Sequence, residues 1–171
     1  MVRQRSQILL VLLVVTLRPA DLIAAQSTIS GFAGLGWGTT RAELLARFGK
    51  PIEDLKDSTV ERLSYVQGPD SGFLLVVAKD HGLVAAIRIL PLATGSRCRA
   101  TLLADSARIA QHLKGVTPQE KTTRAVSDGG CGGFSQWDVL WRDEAGDQIL
   151  LSADVAKHRR YISYSSPLAP N

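Results

Sequence analysis

Two stretches of the chain alternate between apolar and polar residues with a period of two, and each is preceded by a stretch with a helical period. In the first stretch the runs Val60 to Gln67, Phe73 to Lys79 and Leu83 to Leu90 are rich in β-branched and aromatic residues. They are separated by Gly68-Pro69-Asp70-Ser71-Gly72 and by Asp80-His81-Gly82. Glycine at positive φ, proline at fixed φ and aspartate bonding to nearby backbone all make tight turns, so three antiparallel strands are predicted. In the second stretch the runs Phe134 to Arg142, Gln148 to Ala153 and Arg159 to Ser165 repeat the plan.

Thr40 followed by Glu43 has the spacing of a capping box, and Leu44, Leu45 and Phe48 fall on one side before Gly49 and Pro51. The spacing predicts a short helix over Arg41 to Phe48. Ahead of the second set, Cys98, Leu102, Ser106, Ile109 and Leu113 form a stripe widened by Leu103 and Ala110, with Gly115 as a stop. Thr101, Asp105, Arg108 and His112 make its wet face. The polar stretch Glu53 to Ser58 and the segment Val116 to Gly133, with its Gly129-Gly130-Cys131-Gly132-Gly133 run, read as connections. The expected fold is α+β: two helix-plus-three-strand antiparallel units, residues 31–92 and 93–167, sharing one sheet with both helices on one face.

The alternation also predicts which side chains face the helices. Trp137, Val139 and Trp141 share one side, and Gln136, Asp138, Leu140 and Arg142 the other. Leu63 and Tyr65 inward send Arg62 and Ser64 outward. Leu83, Ala85, Ile87 and Ile89 inward send Arg88 outward, and Tyr161 inward leaves Arg160, Ile162 and Tyr164 outside. The open face would then gather Arg62, Arg88, Arg142, Arg160 and Tyr164. Such a mildly basic surface suits an acidic protein patch or an anionic envelope polymer.

The first 25 residues are of different composition. Arg3 and Arg5 precede the apolar run Ile8 to Leu17, Arg18-Pro19 interrupts it, and Leu22-Ile23-Ala24-Ala25 offers a small-residue cleavage site. Residues 1–25 read as a secretory signal peptide, leaving 26–171 as a single domain for the periplasm or the exterior. The ten-residue run falls short of the roughly 20 residues needed to span a bilayer, so no stable membrane span is expected after cleavage. Of the 171 residues, 45% are hydrophobic and 21% charged, which fits a globular domain. The net charge of +4 drops to +2 without the leader, because Arg3, Arg5, Arg18 and Asp21 are lost. That small excess gives no reason to expect nucleic acid as a partner. Cys98 and Cys131, the two cysteines of an exported chain, are expected to pair and to stabilise the fold by about 3–4 kcal/mol.

The residues that carry chemistry form no recognised pattern. No G-x-S-x-G elbow is present, and Ser163 to Ser166 lack an adjacent base. His81, His112 and His158 are too far apart in sequence for a local zinc pair. The glycines Gly34, Gly36 and Gly38 lack the G-K-[ST] of a phosphate loop and read as backbone turns. Neither a cofactor nor a metal is expected. A binding module is favoured, and the alternative is a small envelope hydrolase whose acids and histidines meet only in the fold.

The segment Phe32 to Pro51 carries G-x-[ST]-x-x-E-[VL]-x-x-x-[FL]-G-x-P as Gly38, Thr40, Glu43, Leu44, Phe48, Gly49 and Pro51. It resembles the opening of small exported bacterial modules, among them the SmpA/OmlA outer-membrane assembly lipoproteins and the β-lactamase-inhibitor-protein-like domains. The resemblance implies a short helix on an antiparallel sheet and non-catalytic binding or assembly at the cell envelope. The lipoproteins' lipobox cysteine is missing here, and the second helix lacks the Gly-x-Pro ending.

Overall fold

The computed structural model describes residues 29–113, 116–124, 131 and 134–169. The leader, residues 1–25, lies outside them, as do Gly129, Gly130, Gly132 and Gly133 of the glycine-rich run. The described chain is α+β. A two-stranded ribbon, β1 (Gly31–Phe32) and β2 (Leu35–Gly36), leads into α1 (Arg41–Phe48). Then come β3 (Glu53–Lys56), β4 (Val60–Gly68), β5 (Ser71–Ala78) and β6 (Gly82–Pro91). Helix α2 (Ser96–His112) opens the second half, followed by β7 (Gln119–Arg124), β8 (Phe134–Arg142), β9 (Gln148–Asp154) and β10 (Arg159–Ser165).

Each helix is thus followed by four strands rather than the expected three. The additional strands, β3 and β7, are the two edges of an eight-stranded antiparallel sheet ordered β3-β4-β5-β6-β10-β9-β8-β7. Their sequences, EDLK and QEKTTR, are charged and lack apolar alternation, so they read as connections. Charged residues of this kind suit an edge, where they discourage pairing with another chain. The final strands of the two halves, β6 and β10, pair at the centre, with Ile162 opposite Arg88 and Tyr164 opposite Ala86.

All the helical mass lies on one side. Leu63, Leu75, Ala86, Tyr164, Ile149 and Trp141 form one cross-strand row facing it. Under α1, Leu44 packs with Leu63, Tyr65, Phe73, Leu75 and Leu83, and Phe32 of the ribbon joins them. Beneath α2, Leu102 and Ile109 pack with Trp137, Val139, Trp141, Leu151 and Ile162. Trp37 touches both clusters and donates from Nε1 to the Ile29 carbonyl at 3.2 Å.

Helix α1 is held at its start by the capping box read from the sequence. Thr40 N–H donates to Glu43 Oε2 at 2.8 Å, and Glu43 N–H donates to Thr40 Oγ1 at 3.3 Å. Just before it, Gly38 and Thr39 exchange backbone hydrogen bonds with Leu83 at 2.9 and 2.8 Å. Gly82 makes that approach possible: its φ is 64°, and a Cβ there would stand 2.3 Å from the Gly38 carbonyl oxygen. Helix α2 has no side-chain cap but is tied down by the Cys98–Cys131 disulfide, both cysteines being buried.

Candidate functional site

The surface of interest is the sheet face away from the helices. Register fixes its composition, because directly paired residues share a side. One row reads Leu55, Arg62, Val76, Ala85, Ser165, Gln148, Arg142. The next reads Glu53, Ser64, Leu74, Ile87, Ser163, Leu150, Leu140. A third contains Val66, Gly72, Ile89, Tyr161, Ser152 and Asp138. None of these residues belongs to either buried cluster, and both helices pack on the opposite side. Among the described residues this face has no covering layer.

The expected arginine cluster does not form. Arg62 and Arg142 do face outward, but from opposite ends of one row, β4 and β8, about 24 Å apart at five strand spacings. Arg62 is also held at 3.5 Å by Asp57. Arg88 is on the helix side, in register with the buried Phe73 and Ile162. The reason is a bulge in β6: Val77 pairs with Leu83 and Val76 with Ala85, so Val84 is an extra residue and the alternation inverts beyond it. Ala85, Ile87 and Ile89, expected inward, consequently face out, and Ala86 turns in.

Arg160, Ile162 and Tyr164 likewise face the helices, while Tyr161 faces out, the reverse of the expected sidedness of β10. Ile162 is buried, and the Tyr164 ring packs edge-on against Phe32 with centroids 5.4 Å apart. Burial pushes the Tyr164 phenol above its ordinary pKa, partly offset by Arg88. Arg160 Nε donates to Asp105 Oδ2 at 2.6 Å, and its guanidinium also reaches the Pro91 carbonyl. Asp105 is only 3% exposed, although the helical wheel places it on the wet face. Two charges expected in solvent therefore neutralise each other between α2 and the sheet.

The outer face differs from one end to the other. Strands β4, β5 and β6 show Val66, Leu74, Val76, Ala85, Ile87 and Ile89, with Val66 62% exposed. Strands β10, β9 and β8 show Arg159, Tyr161, Ser163, Ser165, Gln148, Ser152, Asp154, Gln136, Asp138 and Arg142, with Leu150 and Leu140 among them. Here Gln136 Nε2 donates to Asp138 Oδ2 at 2.8 Å, while the shielded Asp138 Oδ1 has no hydrogen-bond partner among the described residues. Asp154 accepts from the Lys157 backbone N–H at 3.1 Å, which with the Lys157 side chain holds its carboxyl below the usual range. Gln136, Ser152, Ala153, Asp154 and Tyr161 line a depression of about 390 Å³. The sequence alternation of β8 places Gln136 and Asp138 outward, but Tyr161 and the polar row it completes required the register of β10.

A second cleft, about 590 Å³, opens between the start of α1 and the β5–β6 turn, lined by Arg41, Glu61, Lys79, Asp80 and His81. Arg41 is committed to Asp54 and Glu61, and Lys56 also faces Glu61 at 3.7 Å. The three histidines occupy three separate places: His81 in that turn, His112 at the end of α2 and His158 in the β9–β10 turn. Among the described residues no group of three or more potential ligands is placed to hold a metal, and no helix is long and apolar enough to cross a membrane.

No protein-family model matches the chain, and no curated protein matches it. Among solved structures it is similar to an extracellular protein containing an SCP domain from Bacillus anthracis str. Ames, at 13% identity and a TM-score of 0.45. The match covers 98% of this chain and 50% of that one, so the chain spans half the length of its structural neighbour.

Proposed function

We propose that the chain is an exported binding or assembly module that docks another protein of the cell envelope through its open sheet face. The observation that carries this reading is the uncovered set Val66, Leu74, Val76, Ile87 and Ile89 on three adjacent strands. Branched side chains packed side by side gain by losing water, at about 25 cal/mol per Å². An anionic polymer suits the face less well, because its outward arginines, Arg62, Arg142 and Arg159, stand on three separate strands and Arg62 is already paired with Asp57. Seven lateral spacings by three rows give a face of about 700 Å², close to the roughly 800 Å² per partner of a standard interface. The apolar strands supply one half of the face and the polar strands the other, so the apolar half would carry most of the buried contact. The leader expected at residues 1–25 and the disulfide support export, since disulfides persist in oxidising compartments.

The test is capture of partners from envelope extract with the tagged protein, followed by their identification. Ile87→Glu and Leu74→Glu are expected to lose a partner that wild type retains, with thermal unfolding little changed. Arg88→Glu, on the helix side, is expected to keep it. Equal capture by wild type and both outer-face variants would reject docking through this face.

A further inference from the structure

The polar end of the outer face has the makings of a small-ligand site, independent of whether the apolar end docks a protein. We propose that Tyr161, Gln136, Asp138, Ser152 and Asp154 form a binding site for a saccharide, a neutral ring bearing neighbouring hydroxyls. Three adjacent strands present them on a regular grid. Tyr161, Ser152 and Asp138 lie side by side in one row, and Asp154 and Gln136 are paired in the next, with about 4.8 Å between strands and about 7 Å between rows. The depression that Gln136, Ser152, Asp154 and Tyr161 border, about 390 Å³, falls within the range of small-molecule sites, about 300–1,000 Å³, and Asp138 stands beside it, next to Ser152 and bonded to Gln136.

The donor and acceptor set narrows the chemistry. Gln136 uses one amide N–H on Asp138 and has a second to offer, along with its carbonyl. Among the described residues the shielded Asp138 Oδ1 accepts no hydrogen bond, which leaves it open to a ligand donor. Ser152 can donate and accept. Tyr161 adds an aromatic ring with a polar tip, able to cover an apolar C–H face while its hydroxyl bonds outward. A phosphate or carboxylate would find one cation, Arg159 in register with Asp154, but also the carboxylates of Asp138 and of Asp154, the latter already paired with Lys157. A hydrocarbon would bury Asp138 without satisfying it. A polyamine would satisfy the carboxylates but make no use of the amide N–H. A sugar ring supplies hydroxyl donors, hydroxyl acceptors and a C–H face together.

The experiment is titration of the 15N-labelled protein with maltotetraose and, separately, with chitotetraose, followed by NMR. At least one probe is expected to give saturable shifts at the Gln136 side-chain amide and the Ser152 backbone amide, with Kd in the millimolar range or tighter. Tyr161→Ala is expected to weaken that binding about tenfold, as loss of an aromatic contact does, while Tyr161→Phe stays near wild type. Asp138→Ala should weaken it as well. Ile87→Glu, which breaks the proposed protein contact, should leave the sugar shifts in place, so the two readings fail separately. The assignment is overturned if neither tetrasaccharide gives saturable shifts, or if Tyr161→Ala binds as well as wild type. Spermidine is the charge control, and shifts at these amides that only spermidine produces would also overturn it, leaving an acidic patch.

Discussion

The two halves of the molecule seal the same side of the sheet and leave opposite characters on the other. Inward, β4 to β6 and β8 to β10 both present large apolar residues to a helix, Leu63, Phe73 and Leu75 in one half and Val139, Trp141 and Leu151 in the other. Outward, the first half shows aliphatic side chains, while hydroxyls, amides and carboxylates predominate in the second. The helices are secured differently too, α1 by Thr40 and Glu43 and α2 by a disulfide without a side-chain cap. Burial constrains the inner face of both halves alike, whereas the outer face is free to differ. That difference is what the two proposed contacts rest on.

The largest effect should separate the two faces of one strand. Leu75→Asp, at a position fully buried under α1, is expected to abolish cooperative folding, because an unpaired charge there has no compensating partner. Leu74→Asp, one residue away on the open side, should fold and lose about 1 kcal/mol or less. Urea unfolding of the two variants makes the comparison. Equal damage at both positions would mean that the outer side is also sealed.

The disulfide is expected to contribute next. Removing Cys98 and Cys131 together as alanines reopens a loop with a sequence separation of 33, at a cost of about 3–4 kcal/mol. Loss of order should be concentrated around α2, while hydrogen exchange in α1 and β4 to β6 stays slow. Uniform loosening of both halves would show that the cross-link stabilises the sheet as a whole. Thr40→Ala, the matching change in the first half, should cost only about 1 kcal/mol, because Glu43 and the first-turn amides can turn to water. A cost equal to that of the disulfide would remove the asymmetry between the helix anchors.

Much of this arrangement could be read from residue order, and the failures have local causes. The capping box of α1, the pairing of Cys98 with Cys131 and the inward tryptophans of β8 follow from rules that act within a few residues or within one compartment. Arg88 could not be placed that way. The bulge at Val84 exists only in the pairing of β5 with β6, and one extra residue reverses every side chain beyond it. In β10, Tyr161 and Tyr164 stand on opposite faces, so apolarity alone could not decide between them. Asp105 and Arg160 each look solvated when considered singly, and only their meeting across α2 and β10 makes burial tolerable. Polar edge strands β3 and β7 carry no periodic signal because an edge needs none. Of the proposed saccharide contacts, Gln136 and Asp138 were legible from the alternation of β8, whereas Tyr161 depends on which side β10 turns outward.

The smallest effect concerns a further difference between the halves, at corresponding hairpin turns. In the first half the β4–β5 turn exposes Asp70, but the β8–β9 turn buries Asp143 and Asp147. Asp143 is well served, accepting from Ile29 N–H at 2.8 Å and Asp147 N–H at 3.0 Å. Burial, and then the neighbouring Asp143, raise the Asp147 pKa above the ordinary carboxylate value, partly offset by the nearby Trp37 indole. With the folded value above the unfolded one, the native state binds this proton more tightly, so the linked stability is fully present below an unfolded pKa of about 3.9 and is lost as pH rises through the raised value. Asp147→Asn removes the ionisation at nearly unchanged side-chain size. It should therefore be more stable than wild type at pH 7, by an amount that shrinks towards zero as the pH falls below about 4. Urea midpoints of both proteins at the two pH values provide the measurement. A gain of equal size at both would exclude ionisation as its source, and a loss at pH 7 would show that the Asp147 carboxylate holds the turn together.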